Sequence, residues 1–204
     1  TVPTMVLVDE NDPAFEHPSK PVGPFYTHAV ATEKQEQLGW QVVEDAARGW
    51  RRVVPSPEPK EILELDIIQK IMDMDIITIA LGGGGIPVIR KPDGTIEGSE
   101  AVIDKDRSSS LLANGINADI FIISTDADKV YLNYKKKNQK GLDLVHLDEI
   151  EKYYNQGHFP PGNMGPKVEA VMRYLRNGGK KAIITTFEYL AEAVEGKAGT
   201  TILP

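Results

Sequence analysis

The sequence contains no cysteine among its 204 residues. This absence excludes disulfide scaffolds, thiol nucleophiles and cysteine-ligated zinc or iron–sulfur sites, and it is compatible with a reducing compartment. Histidine is also scarce, with four residues at 17, 28, 146 and 158. No two of them have the spacing of a metal-ligand pair, so we predict structural or exposed roles for all four and no protein metal site.

Long apolar runs and excess basic charge are missing as well. The longest apolar runs, such as residues 76–81, are far shorter than a membrane span, and the first residues carry no basic segment typical of a signal peptide. Lys and Arg number 23 against 30 Asp and Glu, a formal net charge of −7. A chain this acidic repels nucleic acid and anionic membranes, so we expect a cytoplasmic protein that binds neither.

Proline is concentrated at one end of the chain. Eight of the fourteen prolines, but only three of the eighteen glycines, precede residue 60. This distribution disfavours regular helices and central strands and predicts a separate lobe. We therefore expect residues 1–10 to form a strand that enters the lobe, residues 11–57 to form the lobe, and residues 58–204 to form the main domain. Within the first two segments the pattern predicts a strand at 5–8, a helix at 32–38, a hairpin of 41–44 with 50–54, and loops elsewhere.

After residue 59 the sequence alternates between helical spacing and short apolar runs. Helices are predicted at 62–72, 106–114, 148–155, 166–176 and 188–194, and buried strands at 76–81, 120–124 and 182–185. We expect Asp148 to cap the third of these helices and Pro166 to open the fourth. The alternation predicts an α/β fold, with a mainly parallel sheet covered by helices on both faces.

Four glycines, Gly82, Gly83, Gly84 and Gly85, follow the predicted strand at 76–81. Ligands of α/β sheets bind at the carboxyl ends of strands, and a glycine run lets backbone N–H groups approach an anion closely. The run fits neither the P-loop nor the dinucleotide-binding pattern. An anion-binding turn and a merely flexible turn therefore both remain open.

Three further segments place charge beside predicted helix or strand ends. Asp104-Lys105-Asp106 stands at a predicted helix N-terminus, where one aspartate serves as a cap and a lysine held between two carboxylates stays protonated. Lys167 lies in the first turn of a predicted helix, where it opposes the helix dipole unless an anion compensates. Lys20 lies between Pro18 and Pro21 on a predicted stiff loop, which lowers the entropic cost of presenting it. Plain capping and solvated lysines are the alternative interpretations.

A polar turn, residues 125–131, follows the predicted strand at 120–124. Its Asp126 and Tyr131 are positioned to contact ribose, adenine or a metal, although an ordinary aspartate-rich turn explains it equally well. The segment 48–52, Arg-Gly-Trp-Arg-Arg, has the charge and aromaticity of a nucleic-acid patch. The net negative charge of the chain favours cation–π and salt-bridge contacts of this segment within the lobe instead.

Taken together, these motifs resemble those of the carbamate kinases in the amino acid kinase superfamily, over essentially the whole chain. Six motifs carry the resemblance in order: VDENDPAF (8–15), PSKPVGPFY (18–26), RGWRRVVPSP (48–57), GGGGIPV (82–88), AVIDKD (101–106) and MGPKVEA (164–170). Ala46, Ala47 and Asn163 depart from the family's usual residues near these motifs.

The resemblance implies an ATP:carbamate phosphotransferase with a carboxyl group as acceptor. Such an enzyme interconverts ATP and carbamate with ADP and carbamoyl phosphate, uses Mg²⁺, and commonly makes ATP in arginine catabolism through the arginine deiminase pathway. The implied structure is a homodimer of three-layer αβα sandwiches with mainly parallel sheets, each with a small protruding proline-rich lobe.

The resemblance also assigns roles to residues. Lys20 would cover the carbamoyl phosphate site, Lys105 and Lys167 would neutralise the transferred phosphoryl group, and Asp106 would orient those lysines. Gly82, Gly83, Gly84, Gly85 and Asp104 would bind the phosphate or carbamate. Asp126, Tyr131, Met164 and Lys167 would bind the nucleotide.

The family normally carries a segment ahead of the position of Thr1, with a first strand and two glycine-containing loops. We expect a chain that begins at Thr1 to expose apolar faces and to fold poorly or lack activity. The alternatives are another amino acid kinase, acting on acetylglutamate, aspartate or uridylate, and a non-catalytic nucleotide-binding fragment.

Overall fold

The computed structural model describes residues 1–45, 48–160 and 163–204. The departure from the family pattern at Ala46 and Ala47 lies outside these residues. The chain forms two compact units, Thr1–Ser108 (unit 1) and Ser109–Pro204 (unit 2). The boundary between the units therefore falls near residue 108, and the predicted lobe is part of unit 1. The division into 1–10, 11–57 and 58–204 stays a prediction.

The described residues of unit 1 form two sheets and two α-helices, and a third α-helix begins at the end of the unit. Its strands are β1 (Met5–Leu7), β2 (Lys20–Tyr26), β3 (Gln41–Glu44), β4 (Trp50–Val54), β5 (Glu61–Ile62), β6 (Ile86–Arg90) and β7 (Ile96–Gly98). Its helices are α1 (His28–Leu38), α2 (Leu65–Met72) and the first turn of α3 (Lys105–Gly115). The predicted strand at 5–8, the hairpin of β3 with β4 and the helix ending at Leu38 are confirmed.

The lobe is more regular than the sequence analysis predicted, because β2 occupies a stretch that we expected to be a loop. Its sheet has the order β2-β4-β3, so β2 is an edge strand whose unpaired side tolerates Pro21 and Pro24. Pairing with β4 is irregular between Val22 and Tyr26, and Gly23 has a φ of 71°. Such a bulge accommodates the residues that cannot pair.

The second sheet of unit 1 has the order β5-β1-β6-β7, with β1 and β6 parallel. The predicted buried strand at 76–81 is wrong: no strand forms there, and Ile77 is 96% exposed. The segment has apolar strand-forming residues but little backbone pairing, such as the N–H of Val2 donating to the carbonyl of Ile79. Its apolar pattern alone could not supply a partner strand.

In its described part, unit 2 holds the rest of α3, six strands and three further α-helices. The strands are β8 (Phe121–Ser124), β9 (Val130–Leu132), β10 (Lys140–Leu142), β11 (Leu144–His146), β12 (Ala182–Thr185) and β13 (Thr200–Leu203). The helices are α4 (Leu147–Asn155), α5 (Met164–Arg176) and α6 (Leu190–Val194), the last preceded by a 3₁₀ turn at Phe187–Tyr189. Each predicted element of this unit exists, with ends shifted by a few residues. Asp148 does not cap α4, whose N-cap is His146.

The main sheet of unit 2 has the order β11-β13-β12-β8 and carries the core. Strand β12 is buried along its whole length and pairs in parallel with β8 and antiparallel with β13. Helix α5 packs against β12 and β8 through buried residues such as Val168, Val171 and Leu175. Parallel pairing of β8 with β12 brings their carboxyl ends, Ser124 and Thr185, to one edge of the sheet.

These elements confirm the predicted α/β class, and the sheets are mixed, with parallel and antiparallel pairs in each four-stranded sheet. Among the described residues, no helix is long and apolar enough to cross a membrane.

Candidate functional site

The glycine turn of unit 1 lies directly against the N-terminus of α3. A Cβ on Gly84 would stand 2.3 Å from the carbonyl oxygen of Ile103 and 3.4 Å from the backbone nitrogen of Lys105. Gly84 has a φ of 101° and is buried, whereas Gly82 and Gly83 are exposed. Only glycine permits this approach with this backbone geometry, which leaves the outer half of the turn open to a ligand.

Asp104 is the N-cap of α3. One carboxylate oxygen, Oδ1, accepts hydrogen bonds from the backbone N–H groups of Asp106 (2.9 Å) and Arg107 (3.3 Å). The other oxygen, Oδ2, accepts a hydrogen bond from the ammonium of Lys20 at 2.5 Å. Burial opposes ionisation of Asp104, but the hydrogen bond and charge of Lys20, together with the backbone N–H groups of Arg107 and Asp106, outweigh it and hold the pKa of Asp104 below its ordinary value.

Lys105 does not lie between two carboxylates as the sequence analysis predicted. Its ammonium is 3.4 Å from Asp106, and the carboxylate of Asp104 is directed to Lys20 instead. The Lys105 side chain is 63% exposed, whereas the Asp106 side chain is 10% exposed. Unit 1 therefore brings together Lys20, Asp104, Lys105 and Asp106 beside the glycine turn.

The lobe's basic motif makes contacts within the lobe, as predicted. The guanidinium groups of Arg48 and Arg51 stack over Phe25 at 4.9 and 5.1 Å, and both pair with Asp45. Arg52 stacks over Trp40 at 4.9 Å. These contacts stabilise the sheet that carries Lys20.

Unit 2 contains a pocket with a cavity volume of about 80 Å³ at the carboxyl end of β8. The described residues that line it are Asp126, Ala127, Lys129, Tyr131, Tyr134, His158, Phe159, Pro160, Asn163 and Met164. A lining of aromatic rings with a few polar groups is typical of small-molecule sites. Three residues expected on the nucleotide side, Asp126, Tyr131 and Met164, thus lie around one cavity.

The polar groups of this pocket are held by neighbours. The hydroxyl of Tyr131 donates to the carboxylate of Asp128 at 3.0 and 3.1 Å, and partial burial together with this bond raises the pKa of Tyr131. Lys129 bonds to Asp143, which raises the pKa of Lys129. Both groups therefore keep their protons at neutral pH, the tyrosine as a neutral hydroxyl and the lysine as a cation.

Helix α5 begins at Met164, two residues before the position predicted from Pro166. The N–H of Gly165 donates to the carbonyl of Pro160 at 3.1 Å, and a Cβ on Gly165 would approach that oxygen to 2.8 Å. This contact fixes Met164 at the pocket. Lys167 is half-buried in the first turns of α5 and is not among the described residues that line the pocket.

Sequence reasoning missed His158, Phe159 and Tyr134 as pocket residues. His158 had been assigned a structural or exposed role, and its ring packs edge-on against Tyr153 at 5.7 Å. A histidine and an aromatic residue just before a glycine-rich loop were a usable signal for His158 and Phe159. Nothing local distinguishes Tyr134, which reaches the pocket through the turn after β9.

These features define an α/β protein with a charged glycine-turn cluster in one unit and an aromatic pocket at a strand end in the other. Residues 14–186 match the model of the amino acid kinase family. The chain belongs to this family.

Similar proteins include carbamate kinases. The chain is 50% identical over 204 residues to a carbamate kinase of Pyrococcus horikoshii, covering 100% of this chain and 65% of that protein. Carbamate kinase structures from Giardia lamblia cover 99% of this chain. The one bound to citric acid has a TM-score of 0.92 and 42% identity, with 63% of that chain covered. The one bound to AMP-PNP has a TM-score of 0.87 and 43% identity, with 64% covered. The chain thus spans about two thirds of the length of these relatives.

Proposed function

We propose that the protein containing this chain is a carbamate kinase, which transfers a phosphoryl group reversibly between ATP and carbamate and yields ADP and carbamoyl phosphate. The observation that carries the proposal is the 50% identity to a carbamate kinase along the entire chain, the lobe with Lys20 included. The acceptor in this reaction is the carboxyl group of carbamate.

The geometry of unit 1 suits the charge demands of phosphoryl transfer. The transition state spreads negative charge over three equatorial oxygens, and catalysis consists mainly of alignment and charge neutralisation. Lys20 and Lys105 supply two ammonium groups beside an exposed glycine turn, and Asp106 lies 3.4 Å from the Lys105 ammonium. We assign neutralisation of the transferred group to Lys105 and Lys167, and contact with carbamoyl phosphate to Lys20 and the turn at Gly82–Gly85.

The pocket of unit 2 suits the nucleoside part of ATP or ADP. Tyr131, Tyr134 and Phe159 contribute aromatic rings to the lining, against which adenine would pack, and Asp126 contributes a carboxylate that would accept hydrogen bonds from ribose hydroxyls. A Giardia lamblia relative of this chain has been crystallised with the ATP analogue AMP-PNP. We therefore place the nucleotide at Asp126, Tyr131 and Met164, with Lys167 on the phosphate side.

Mg²⁺ is part of the proposal, as an ion that arrives on the nucleotide. Mg²⁺ is usually held by substrate phosphates, water and one or two carboxylates, so it requires no protein cage. The described residues include no group of three or more acidic or histidine side chains placed to hold a metal. When bound, it would supply further positive charge to the phosphates.

The wider setting is proposed from the resemblance alone. We propose a cytoplasmic homodimer that makes ATP from carbamoyl phosphate at the end of arginine catabolism. The complete lack of cysteine is compatible with a reducing compartment.

The test is ATP formation from Mg-ADP and carbamoyl phosphate by the full-length product of the gene that encodes this chain. We expect turnover with carbamoyl phosphate and none with acetylglutamate phosphate or aspartyl phosphate. The matched control is Lys105→Ala, which should retain ADP binding and lose turnover. Preference for another acyl phosphate would identify a different amino acid kinase, and ADP binding without any turnover would identify a non-catalytic nucleotide-binding protein.

A further inference from the structure

Asp104 makes two different interactions that no role in phosphate binding explains. Its Oδ1 caps α3 through two backbone N–H groups, and its Oδ2 holds the Lys20 ammonium at 2.5 Å. The Asp104 side chain is 12% exposed. A carboxylate with both oxygens engaged repels a phosphate and offers it no donor.

Lys20 is anchored by its backbone, and an ion pair holds its ammonium. It is the first residue of β2 and pairs with Val54 of β4, which anchors its Cα in the lobe sheet. Its side chain is 31% exposed, and among the described contacts Asp104 is its ion-pair partner. A lysine side chain has several rotatable bonds, so an unpaired Lys20 ammonium would sample more positions than a paired one.

We propose that Asp104 is a positioning residue, which holds the Lys20 ammonium over the N-terminus of α3 ready for carbamoyl phosphate. An ammonium has three N–H donors, and Asp104 uses one of them. Two donors remain for phosphate oxygens, so Lys20 can keep its partner while it binds substrate. The inference rests on the proposed function, and it replaces the role of Asp104 as a phosphate or carbamate ligand.

The physical consequence is preorganisation. The entropy of fixing the Lys20 side chain is lost when the protein folds and not when carbamoyl phosphate binds. Asp104 also joins the lobe to α3, together with the hydrogen bond from Val102 N–H to the Pro55 carbonyl at 2.9 Å. Loss of the Asp104 charge should therefore lower kcat/KM for carbamoyl phosphate, while the binding of ADP stays unchanged.

The main test is Asp104→Asn in the full-length protein. Asparagine keeps the acceptor that caps α3 and removes the charge that holds Lys20. We expect kcat/KM for carbamoyl phosphate to fall by roughly tenfold or more, as for loss of a charge-assisted hydrogen bond, with KM for ADP within about twofold. Asp104→Ser, another good cap without charge, should behave alike.

A double-mutant cycle with Lys20→Met separates positioning from a merely structural role. If Asp104 acts through Lys20, Asp104→Asn should change kcat/KM by less than about twofold in the Lys20→Met background. The matched control is Asp119→Asn, which breaks an exposed lysine–aspartate pair with Lys180 at 2.6 Å in unit 2. This control should leave kcat/KM unchanged.

A measurement without substrate tests the ion pair itself. The rate at which sulfo-NHS-acetate modifies Lys20, followed by mass spectrometry, should rise several-fold in Asp104→Asn, while the rate at Lys180 should not. Additive losses in the cycle, equal losses for both substrates, or unchanged Lys20 reactivity in an active enzyme would each overturn the positioning role alone. An unsubstituted protein with no carbamoyl phosphate turnover would overturn the proposed function on which that role rests.

Discussion

The two units of this chain hold their functional groups in different ways. Among the described residues, nine buried apolar side chains belong to unit 1 and twenty to unit 2. Eighteen of these twenty side chains form one cluster around α5 and β12. In unit 1, the candidate site is held mainly by a helix cap, a partly buried ion pair and a close glycine contact.

This difference predicts different sensitivities. Packing is non-directional, so loss of a core side chain in unit 2 should lower stability without a specific effect on chemistry. Ion pairs and caps are directional, so small isosteric changes in unit 1 should alter the chemistry while most of the fold persists. The variants that follow test this contrast, in the full-length protein.

The largest expected effect is on stability and lies in unit 2. Ile184→Ala, in the fully buried strand β12, should lower the free energy of unfolding by about 2 to 5 kcal/mol, because it leaves a cavity. Leu38→Ala in unit 1, where the side chain is 57% exposed, should cost less than about 0.5 kcal/mol. Urea unfolding measures both. A cost above about 2 kcal/mol for Leu38→Ala would break the comparison, because it would show that this side chain is packed in the protein.

The second effect is on chemistry and lies at the start of α3. Lys105→Ala should lower kcat by about 10²- to 10³-fold, comparable to loss of one transition-state donor, and leave the melting temperature unchanged because the side chain is largely exposed. The control is Lys180→Ala, whose side chain is 70% exposed in unit 2. Lys167→Ala should resemble Lys105→Ala. A near-normal kcat in either the Lys105 or the Lys167 variant would contradict the role that we assign to that lysine.

A smaller effect should separate two neighbouring glycines. Gly84→Ala should lower the free energy of unfolding by about 1 to 3 kcal/mol, because its φ is 101° and a Cβ would clash with Ile103. A Cβ on Gly82 would have no neighbouring atom within 4 Å, so Gly82→Ala should change the free energy of unfolding little. Thermal unfolding measures both variants. Equal costs at both positions would mean that the turn does not pack against α3 as described.

The smallest effect concerns the free energy of unfolding at low pH. The pKa of Asp104 is held below its ordinary value of 3.8, so its ionised form stabilises the folded state above that pH. This contribution should disappear as the pH falls through the lowered pKa. Urea unfolding from pH 7 to pH 2.5 should show the unsubstituted protein converging with Asp104→Asn at the acid end. A constant difference between them across the range would contradict the assigned pKa direction.

Several elements were predictable because their signals are local. The strands β3, β4 and β12 were predicted with the bounds that the structure shows, and α3 within one residue at each end. Period-two apolar patterns, β-branched residues and a capping aspartate act over a few residues, so sequence alone reports them. The pocket residues Asp126 and Tyr131 were singled out through the polar turn after the predicted strand at 120–124, and Met164 through a motif that resembles one of a known family.

Other elements depended on what the rest of the chain provides. Residues 76–81 have a strand pattern without a strand, because backbone pairing requires a partner that pattern alone cannot guarantee. The opposite error occurred at β2, where prolines suggested a loop but an edge position accommodates them.

The sequence by itself determined the acidic charge, the lack of thiol chemistry, the α/β class and the identity of the charged and glycine residues that compose the site. The charge, the lack of thiols and the α/β class follow from composition and short-range periodicity, and the site residues follow from their motifs and the family resemblance that these carry. The tertiary structure decided which charges meet. Asp104 and Lys20 are 84 residues apart, and only folding shows that Asp104 pairs with Lys20 and not with the adjacent Lys105. Ion pairs depend on distances of a few ångströms in space, which neighbours in the sequence do not dictate.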